Sequence, residues 1–215
     1  MLGYPNVAVD VVLRGGREGG DGLDNKKRER KNSDNTASVG GSERQLRNHL
    51  QSVPTYPTPN VMIVDFESFV LDDNNYIKEL AFYDPFQMGH WVTTFDSPFE
   101  LSSLKRSCVR KIEQQTFLSH GLEWESGISS YTSQFQILQS YASTYTLYAQ
   151  NKEKCEVLEK LANCTIWDLT SMNVPSVYSL PFGSYCYFHD SMKFSCALDK
   201  ATRLGRYYLD IFSKQ

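Results

Sequence analysis

The aromatic residues are distributed very unevenly along this chain of 215 residues. Only Tyr4 precedes Tyr56, so almost every large side chain that could build a core lies later in the chain. Eight of the 13 glycines, by contrast, fall by Gly41. A glycine-rich, charged segment cannot bury enough apolar surface to offset the entropy of ordering it. We therefore predict a disordered basic and glycine-rich tail over residues 1–60 and a folded domain over residues 61–215.

The net charge divides at the same boundary. Of the total of −3, residues 1–60 contribute +2 and residues 61–215 contribute −5. An acidic domain is a poor general binder of phosphate backbones, so nucleic acid would have to bind at a local cluster of cations. The basic run Lys26–Lys31 is either a nuclear-import or nucleic-acid patch or a solvated linker.

The sequence also bears on the compartment. It has no run of about 18 apolar residues, which predicts that no helix spans a membrane. The N-terminus lacks the basic n-region of a secretory signal peptide. The five cysteines are odd in number and widely spread, unlike a disulfide framework. We therefore predict an intracellular, reducing compartment (cytoplasm or nucleus), no membrane partner, and thiols free for packing or for a metal.

Hydrophobic periodicity predicts an α/β fold. Three strands come first and are followed by helices that alternate with short strands, which is typical of a mixed sheet flanked by helices. The predicted strands cover residues 61–70, 76–84, 90–95, 145–149 and 165–169. The predicted helices cover residues 102–117, 134–143, 152–161 and 196–212.

The first strand carries two carboxylates, Asp65 and Glu67. Residues two apart on a strand point to the same face. Divalent ions about 3.5–4 Å apart need several oxygen ligands, so this pair could begin the cage of a two-metal nuclease. A solvated strand end would explain the same two residues.

The order of elements around this pair resembles the DEDDh 3′–5′ exonucleases, which have a ribonuclease-H-like fold. The resemblance rests on the strand with Asp65 and Glu67, the strands and helix that follow it, and the segment Ser119–Leu122. It implies Mg²⁺ or Mn²⁺ as cofactor if the site is active, with Asp65 and Glu67 as the catalytic acids.

The later motifs of that family are altered in this chain. Cys155 and Lys200 stand where the resemblance implies two further acids, and Ser195 stands where it implies a general-base histidine. A protonated lysine cannot bind a divalent ion, and a serine cannot accept the proton that an imidazole accepts. We therefore expect the site to be catalytically degenerate.

A second group, Cys186, His189 and Cys196, has a spacing typical of a metal site. Cys-x2-His-x6-Cys supplies three ligands that Zn²⁺ prefers, and tetrahedral coordination needs a fourth. Cysteines buried as small apolar residues would fit the same spacing. The loop resembles the Maelstrom domain, a ribonuclease-H-like fold with a Glu-Cys-His-Cys zinc set. This resemblance implies Glu79 as the fourth ligand, the alternative being an ordinary strand-edge carboxylate.

These patterns favour a zinc-stabilised exonuclease-fold domain that binds nucleic acid, and single-stranded RNA is the expected partner. We predict that Lys200, Arg203 and Arg206 contact phosphate, because three-residue spacing places them near one face of the last helix. A solvated cationic face is the alternative. The domain could instead be a module that binds a protein partner.

A divergent, active exonuclease is a further possibility. Asp199 or Asp190 would then complete the metal site that Asp65 and Glu67 begin.

Two other groups of residues have structural and functional interpretations. His120 with Glu123 and Glu125 could form a metal or acid–base site, or His120 could belong to a His-Gly turn. The aromatic segment Tyr178–Phe188 could stack on bases, or it could pack beneath the last helix.

Overall fold

The structure, a computed structural model, describes residues 60–189 and 193–213. Residues 1–59 of the predicted tail, which include the run Lys26–Lys31, and the candidate ligand Asp190 lie outside the described residues. The strands are β1 (Val61–Leu71), β2 (Asn74–Tyr83), β3 (His90–Thr94), β4 (Thr146–Ala149) and β5 (Trp167–Asp168). The helices are α1 (Arg106–Gln115), α2 (Ser133–Ala142), α3 (Lys152–Ala162) and α4 (Ala197–Phe212).

The strands form one mixed sheet in the order β3-β2-β1-β4-β5. β1 pairs antiparallel with β2 and parallel with β4, and β2 and β3 are antiparallel. The prediction of an α/β fold with a mixed sheet flanked by helices is therefore confirmed. None of the described helices is both long and apolar enough to cross a membrane.

Nearly every residue of the central strand β1 is buried. Because successive side chains point to opposite sides of the sheet, both faces of the strand are buried. Met62, Val64 and Phe66 join one apolar cluster, which includes residues of α2 and α3. Val61 and Ile63 join a second cluster, which includes the apolar side of α4. Helices therefore cover both faces of the sheet, and α4 lies on the face that Asp65 and Glu67 share with Ile63.

The register of the first two strands positions two acidic residues side by side. Glu67 of β1 lies opposite Glu79 of β2, and the register shifts immediately afterwards, between Glu67 and Ser68. The shift leaves Lys78 as an extra residue on β2, and its buried ammonium donates to the carbonyls of Phe95 and Trp124. A bulge of this kind re-aims nearby side chains.

Two elements are much shorter than predicted, and the others keep both bounds to within two residues. The first helix begins at Arg106 because the preceding residue, Lys105, is extended, and a π-helical turn over Thr116–His120 follows it. That turn ends at Gly121 with φ 69°, where a Cβ would lie 2.6 Å from the Phe194 ring. The strand predicted over residues 165–169 is limited to Trp167–Asp168, because the side chain of Asp168 accepts from the Thr170 amide and begins a 3-10 turn.

Candidate functional site

The four residues of the predicted metal set lie together at the start of α4. Glu79 comes from β2, Cys186 and His189 come from the loop before α4, and Cys196 is the N-cap of α4. All four are buried, and one ligand atom from each lies within 4.8 Å of the others. The group could therefore hold a metal ion.

The spacing of the ligand atoms fits tetrahedral coordination. The two sulfurs lie 3.6 Å apart, and Glu79 Oε1 lies 2.9 Å from Cys186 Sγ and 3.8 Å from Cys196 Sγ. His189 Nε2 lies 3.2 Å from both carboxylate oxygens of Glu79. Ligands bound at about 2.0–2.3 Å in a tetrahedron lie about 3.3–3.8 Å from one another. The contacts of Glu79 with Cys186 and with His189 are shorter than this range, and no two of the four ligand atoms lie more than 4.8 Å apart.

Backbone groups orient two of the four ligands. The Nδ1 atom of His189 lies 2.6 Å from the carbonyl oxygen of His120, which leaves Nε2 to face Glu79 and the sulfurs. The amide of Ala197, in the first turn of α4, donates to Glu79 Oε2 at 2.8 Å. Such outer contacts fix the tautomer and direction of metal ligands.

The ionisation of the cluster shows how strongly its members interact. The contact between the thiols raises the pKa of Cys186 and lowers the pKa of Cys196 to about 6. Burial opposes a charge on His189, but hydrogen bonds to Cys196 and Glu79 raise its pKa to about 10. Cys196 thus offers the deprotonated sulfur that a metal requires, whereas the thiol of Cys186 and the protonated ring of His189 would release their protons when a metal binds.

A second buried group surrounds the carboxylates predicted to be catalytic, Asp65 and Glu67. The ammonium of Lys154 donates to Asp65 Oδ1 and, at 3.1 Å, to the Phe66 carbonyl. The ammonium of Lys200 lies 2.5 Å from Glu67 Oε1 and 3.4 Å from Asp65 Oδ1. Each carboxylate is thus paired with the protein's own cations.

The pKa values reflect this pairing. Burial opposes the charge of Lys200, but Asp65 and Glu67 outweigh burial and raise its pKa. Burial would raise the pKa of Glu67, yet Lys200 and Lys154 hold it below 4.5. Burial lowers the pKa of Lys154, and Asp65 opposes that shift. Ser195 takes part as well, because its hydroxyl donates to Glu67 Oε1 at 2.7 Å.

The three cations of α4 that were predicted to contact phosphate differ in their exposure. Lys200 and Arg203 are both buried, and of the three predicted cations only Arg206 is exposed. Arg203 donates to Asp199 at 2.8 Å, so neither of these two residues has a free charge for a nucleic acid. Lys200 and Arg203 lie on the side of α4 that packs against the sheet and the preceding loop, and their contact with phosphate stays a prediction.

The other candidate acids and bases also have structural roles. His120 is buried, and its Nδ1 accepts from the amide of Leu122, as expected for a His-Gly turn. Burial lowers the pKa of His120 to about 4. Glu125 accepts from the amide of Leu101 at 2.9 Å. Among the described residues, the one group of four potential ligands is Glu79 with its three partners, not the carboxylates near His120.

Sequence reasoning missed Lys154. It placed Cys155 at the position of a family acid, whereas Cys155 packs into the apolar cluster beneath α3 and the preceding residue reaches Asp65. The available signal was the helix start: Asn151 is the N-cap of α3 and accepts from the Lys154 amide at 2.9 Å. A lysine in a first turn is unfavourable next to the positive end of the helix dipole, and this suggests a nearby anion.

Three of the five aromatic residues in the segment before α4 are exposed, whereas Tyr185 and Phe188 are partly buried against the cluster that includes Cys186 and Cys196. Tyr178, Phe182 and Tyr187 are 72%, 77% and 80% exposed. The guanidinium of Arg203 lies 4.3 Å from the centre of the Phe182 ring, and Arg206 donates to the Phe182 carbonyl at 3.0 Å. A cavity of about 440 Å³ lies between this segment and α4 and is lined in part by Arg203 and Arg206.

Comparison with known proteins does not assign the chain to a family: no protein-family model matches it, and no curated protein is significantly similar to it.

Proposed function

We propose that the domain is a zinc-stabilised, catalytically degenerate relative of the ribonuclease-H-like exonucleases, of the Maelstrom type, that binds single-stranded nucleic acid. RNA is the expected ligand. The observation that carries the proposal is the buried cluster of Glu79, Cys186, His189 and Cys196. Glu79 of β2 joins three ligands that lie 107 to 117 positions later in the chain, in the combination that the resemblance implies.

The chemistry of the four ligands favours zinc. Thiolates and imidazole are soft or borderline ligands, whereas Mg²⁺ and Ca²⁺ prefer sites made of oxygen atoms. Glu79, Cys186, His189 and Cys196 would complete a tetrahedron and are all buried, which is typical of a structural zinc site without an open position for substrate. Zinc would therefore join β2, the loop and the start of α4, and its binding energy would contribute to folding.

The metal content of the full-length protein tests this part of the proposal. We expect about one Zn²⁺ per chain by elemental analysis. Cys186→Ser and Cys196→Ser should each lower both the zinc content and the melting temperature. Cys164→Ser is the matched control, because Cys164 lies outside the cluster and is only partly buried. The zinc assignment would be overturned if the purified protein contained no metal and both Cys186→Ser and Cys196→Ser were as stable as wild type.

The pairing of Asp65 and Glu67 with two lysines supports a lack of nuclease activity. Their carboxylates have cationic partners inside the protein, and Ser195 offers no imidazole. We expect no detectable hydrolysis of single-stranded RNA or DNA with Mg²⁺ or Mn²⁺. Activity that disappears in Asp65→Ala would instead establish the alternative, a divergent metal-dependent exonuclease.

The exposed aromatic segment is the surface that best fits nucleic acid. Base stacking on an aromatic side chain contributes about 1–3 kcal/mol per base and tolerates many sequences. Tyr178, Phe182 and Tyr187 offer three such rings, and Arg206 supplies an exposed charge for phosphate near Phe182. Because the domain carries a net charge of −5, binding should be weak and sensitive to salt.

Fluorescence anisotropy with a labelled single-stranded RNA, on the full-length protein at low salt, tests this surface. We expect Phe182→Ala and Tyr187→Ala to weaken binding, and Arg206→Glu to reduce the slope of log affinity against log salt by about 0.7. Phe117→Ala and Arg110→Glu are matched controls, since both side chains are exposed on other elements.

The same experiment separates the remaining alternatives. Loss of binding in Arg110→Glu, with Phe182→Ala unaffected, would move the binding surface to α1 and contradict the proposed one. No binding by any form of the protein would favour a protein partner for the exposed rings of Tyr178, Phe182 and Tyr187. Location in the cytoplasm or the nucleus stays a prediction.

A further inference from the structure

The buried group of Asp65, Glu67, Lys154 and Lys200 is unusual in its charges. Asp65 is fully buried and Glu67 nearly so, and both lie on the α4 side of β1. Two carboxylates in that setting need cations, because an isolated buried carboxylate is very costly. The chain supplies two ammonium groups, and both of them contact Asp65 Oδ1. The formal charges within the group therefore cancel.

The position of the two lysines gives a second, independent observation. Lys154 lies in the first turn of α3, and Lys200 lies in the first turn of α4. A cation at a helix N-terminus is unfavourable by about 0.3–1 kcal/mol at exposed positions. Each of the two helices thus has a lysine near its N-terminus, where a cation is unfavourable, and both lysines contact the same pair of carboxylates. The interaction with the carboxylates, rather than helix stability, explains both positions.

One acceptor in the group lacks a partner. Asp65 Oδ2 is one of two buried side-chain polar atoms without a hydrogen bond in the described parts of the chain. Glu67 Oε1 accepts from both Lys200 and Ser195. The carboxylate oxygens therefore retain capacity for a ligand, but the two ammonium groups hold the positions from which a cation would approach.

We infer that Lys154 and Lys200 are the resident cations of this carboxylate pair, in the place where a divalent metal ion would otherwise bind. The fold then needs no Mg²⁺ or Mn²⁺ at Asp65 and Glu67, and removal of one ammonium group creates a site for a hard divalent ion. This inference depends neither on zinc at the cysteine cluster nor on nucleic-acid binding.

Mn²⁺ binding to the full-length protein, followed by the electron paramagnetic resonance signal of free Mn²⁺, tests the inference. Wild type should show no Mn²⁺ binding that depends on Asp65. Lys200→Asp replaces a cation by an oxygen ligand and should bind Mn²⁺ at least about tenfold more tightly than wild type does at any site, because each 1.4 kcal/mol of added attraction is a factor of ten. The melting temperature of the variant should rise with Mn²⁺.

Three further variants locate the effect. Lys200→Asp combined with Asp65→Asn should lose the added Mn²⁺ binding. Lys200→Gln, the milder change, should gain a smaller rise in melting temperature with Mn²⁺. Arg203→Gln is the matched control: it also breaks a buried ion pair, but it leaves the single carboxylate of Asp199 and should show no response.

Two results would overturn the inference. One is Mn²⁺ binding by wild type that Asp65→Asn abolishes, because the pair would then be open to divalent ions despite the lysines. The other is a lack of any Mn²⁺ response in both Lys200→Asp and Lys200→Gln. If Lys200→Asp is unfolded without metal, its refolding on addition of Mn²⁺ supports the inference, and otherwise Lys200→Gln decides. Zinc content depends on Cys186 and not on Asp65, so the two proposals can fail separately.

Discussion

The contact between α4 and the sheet gives a prediction whose size can be worked out from the structure. Gly205, in the middle of α4, faces Tyr83 of β2. A Cβ added there would lie 2.2 Å from Tyr83 Cδ1 and 2.6 Å from Cε1, and 3.4 Å from a side-chain carbon of Ile63. Tyr83 is buried, so its ring cannot swing into solvent without exposing apolar surface.

Two opposing effects determine the cost of Gly205→Ala. Alanine is a better helix former than glycine by about 1 kcal/mol, which favours the variant. Overpacking a core with an added methyl group costs about 1–3 kcal/mol, and a contact of 2.2 Å belongs at the upper end of that range. We therefore expect Gly205→Ala to lower the free energy of unfolding by about 2 kcal/mol.

Urea denaturation of the full-length protein, followed by circular dichroism, measures this difference. Gly89→Ala is the matched control, because a Cβ at Gly89 would meet nothing within 4 Å. That variant should be neutral or stabilising by up to about 1 kcal/mol, through a lower entropy of the unfolded chain.

A double-mutant cycle identifies the cause. In a Tyr83→Ala background the obstacle is gone, and Gly205→Ala should then stabilise the protein because only the helix propensity remains. An equal loss of stability in the presence and absence of the Tyr83 ring would refute the reasoning. A Gly205→Ala protein as stable as wild type would do the same, and would show that α4 does not pack on β2 as closely as the structure has it.

Three further predictions concern named hydrogen bonds and charges. Asn151→Ala should cost about 1 kcal/mol in urea denaturation because it removes the N-cap of α3, whereas Asn151→Asp should cost little. The lowered pKa of Glu67 means that its ionised form stabilises the fold above pH 4.5, and that this contribution is lost as pH falls through the folded-state pKa. Acid titration of Glu67→Gln should therefore show a shallower loss of stability than wild type, and identical curves would contradict this. Burial lowers the pKa of Lys78 to about 8, so the folded state binds fewer protons than the unfolded state from about pH 8 to 10.5. Stability should rise with pH over that window relative to Lys78→Met, and parallel curves would contradict the shift.

Most strands and helices could be predicted from hydrophobic periodicity, because the residues that face the core recur at regular spacing. β1 is a run of apolar and β-branched residues, and α4 has Ala201, Leu204 and Tyr208 on one side, at helical spacing. Such patterns depend only on which residues face a core. The π-helical turn at Thr116–His120 and the short β5 do not follow from periodicity, because local capping and the contact of Gly121 with Phe194 determine them.

The part of the candidate site that could be predicted consists of residues close together in sequence, whose spacing is typical of a metal site. The spacing of Cys186, His189 and Cys196 marked three members of the cluster in advance. Glu79 was predicted only through the resemblance. The register of β1 and β2 pairs it with Glu67, which places it on the face of the sheet that α4 covers.

The carboxylates that pair with Lys200 and Arg203 could not be predicted from the sequence. Lys200 and Arg203 looked like an exposed face because three-residue spacing defines a face but not what covers it. Asp65 lies 135 positions away from Lys200, and only the packing of α4 against β1 brings them together. A buried lysine and a solvated lysine have the same local sequence pattern when the compensating carboxylate comes from another element.

The two clusters share one structural origin, the pairing of Glu67 with Glu79 across β1 and β2. Each of these carboxylates holds the start of α4: Glu67 accepts from the Ser195 hydroxyl at 2.7 Å, and Glu79 accepts from the Ala197 amide at 2.8 Å. The residue between those two contacts is Cys196, so a displacement of the helix start would disturb the sulfur ligand and the lysine pairs together. Glu67 on β1 is paired with the ammonium of Lys200, and Glu79 on β2 is paired with the ring of His189, whose raised pKa favours the protonated, positively charged form. Two different ways of compensating a buried negative charge thus fix the position of one helix.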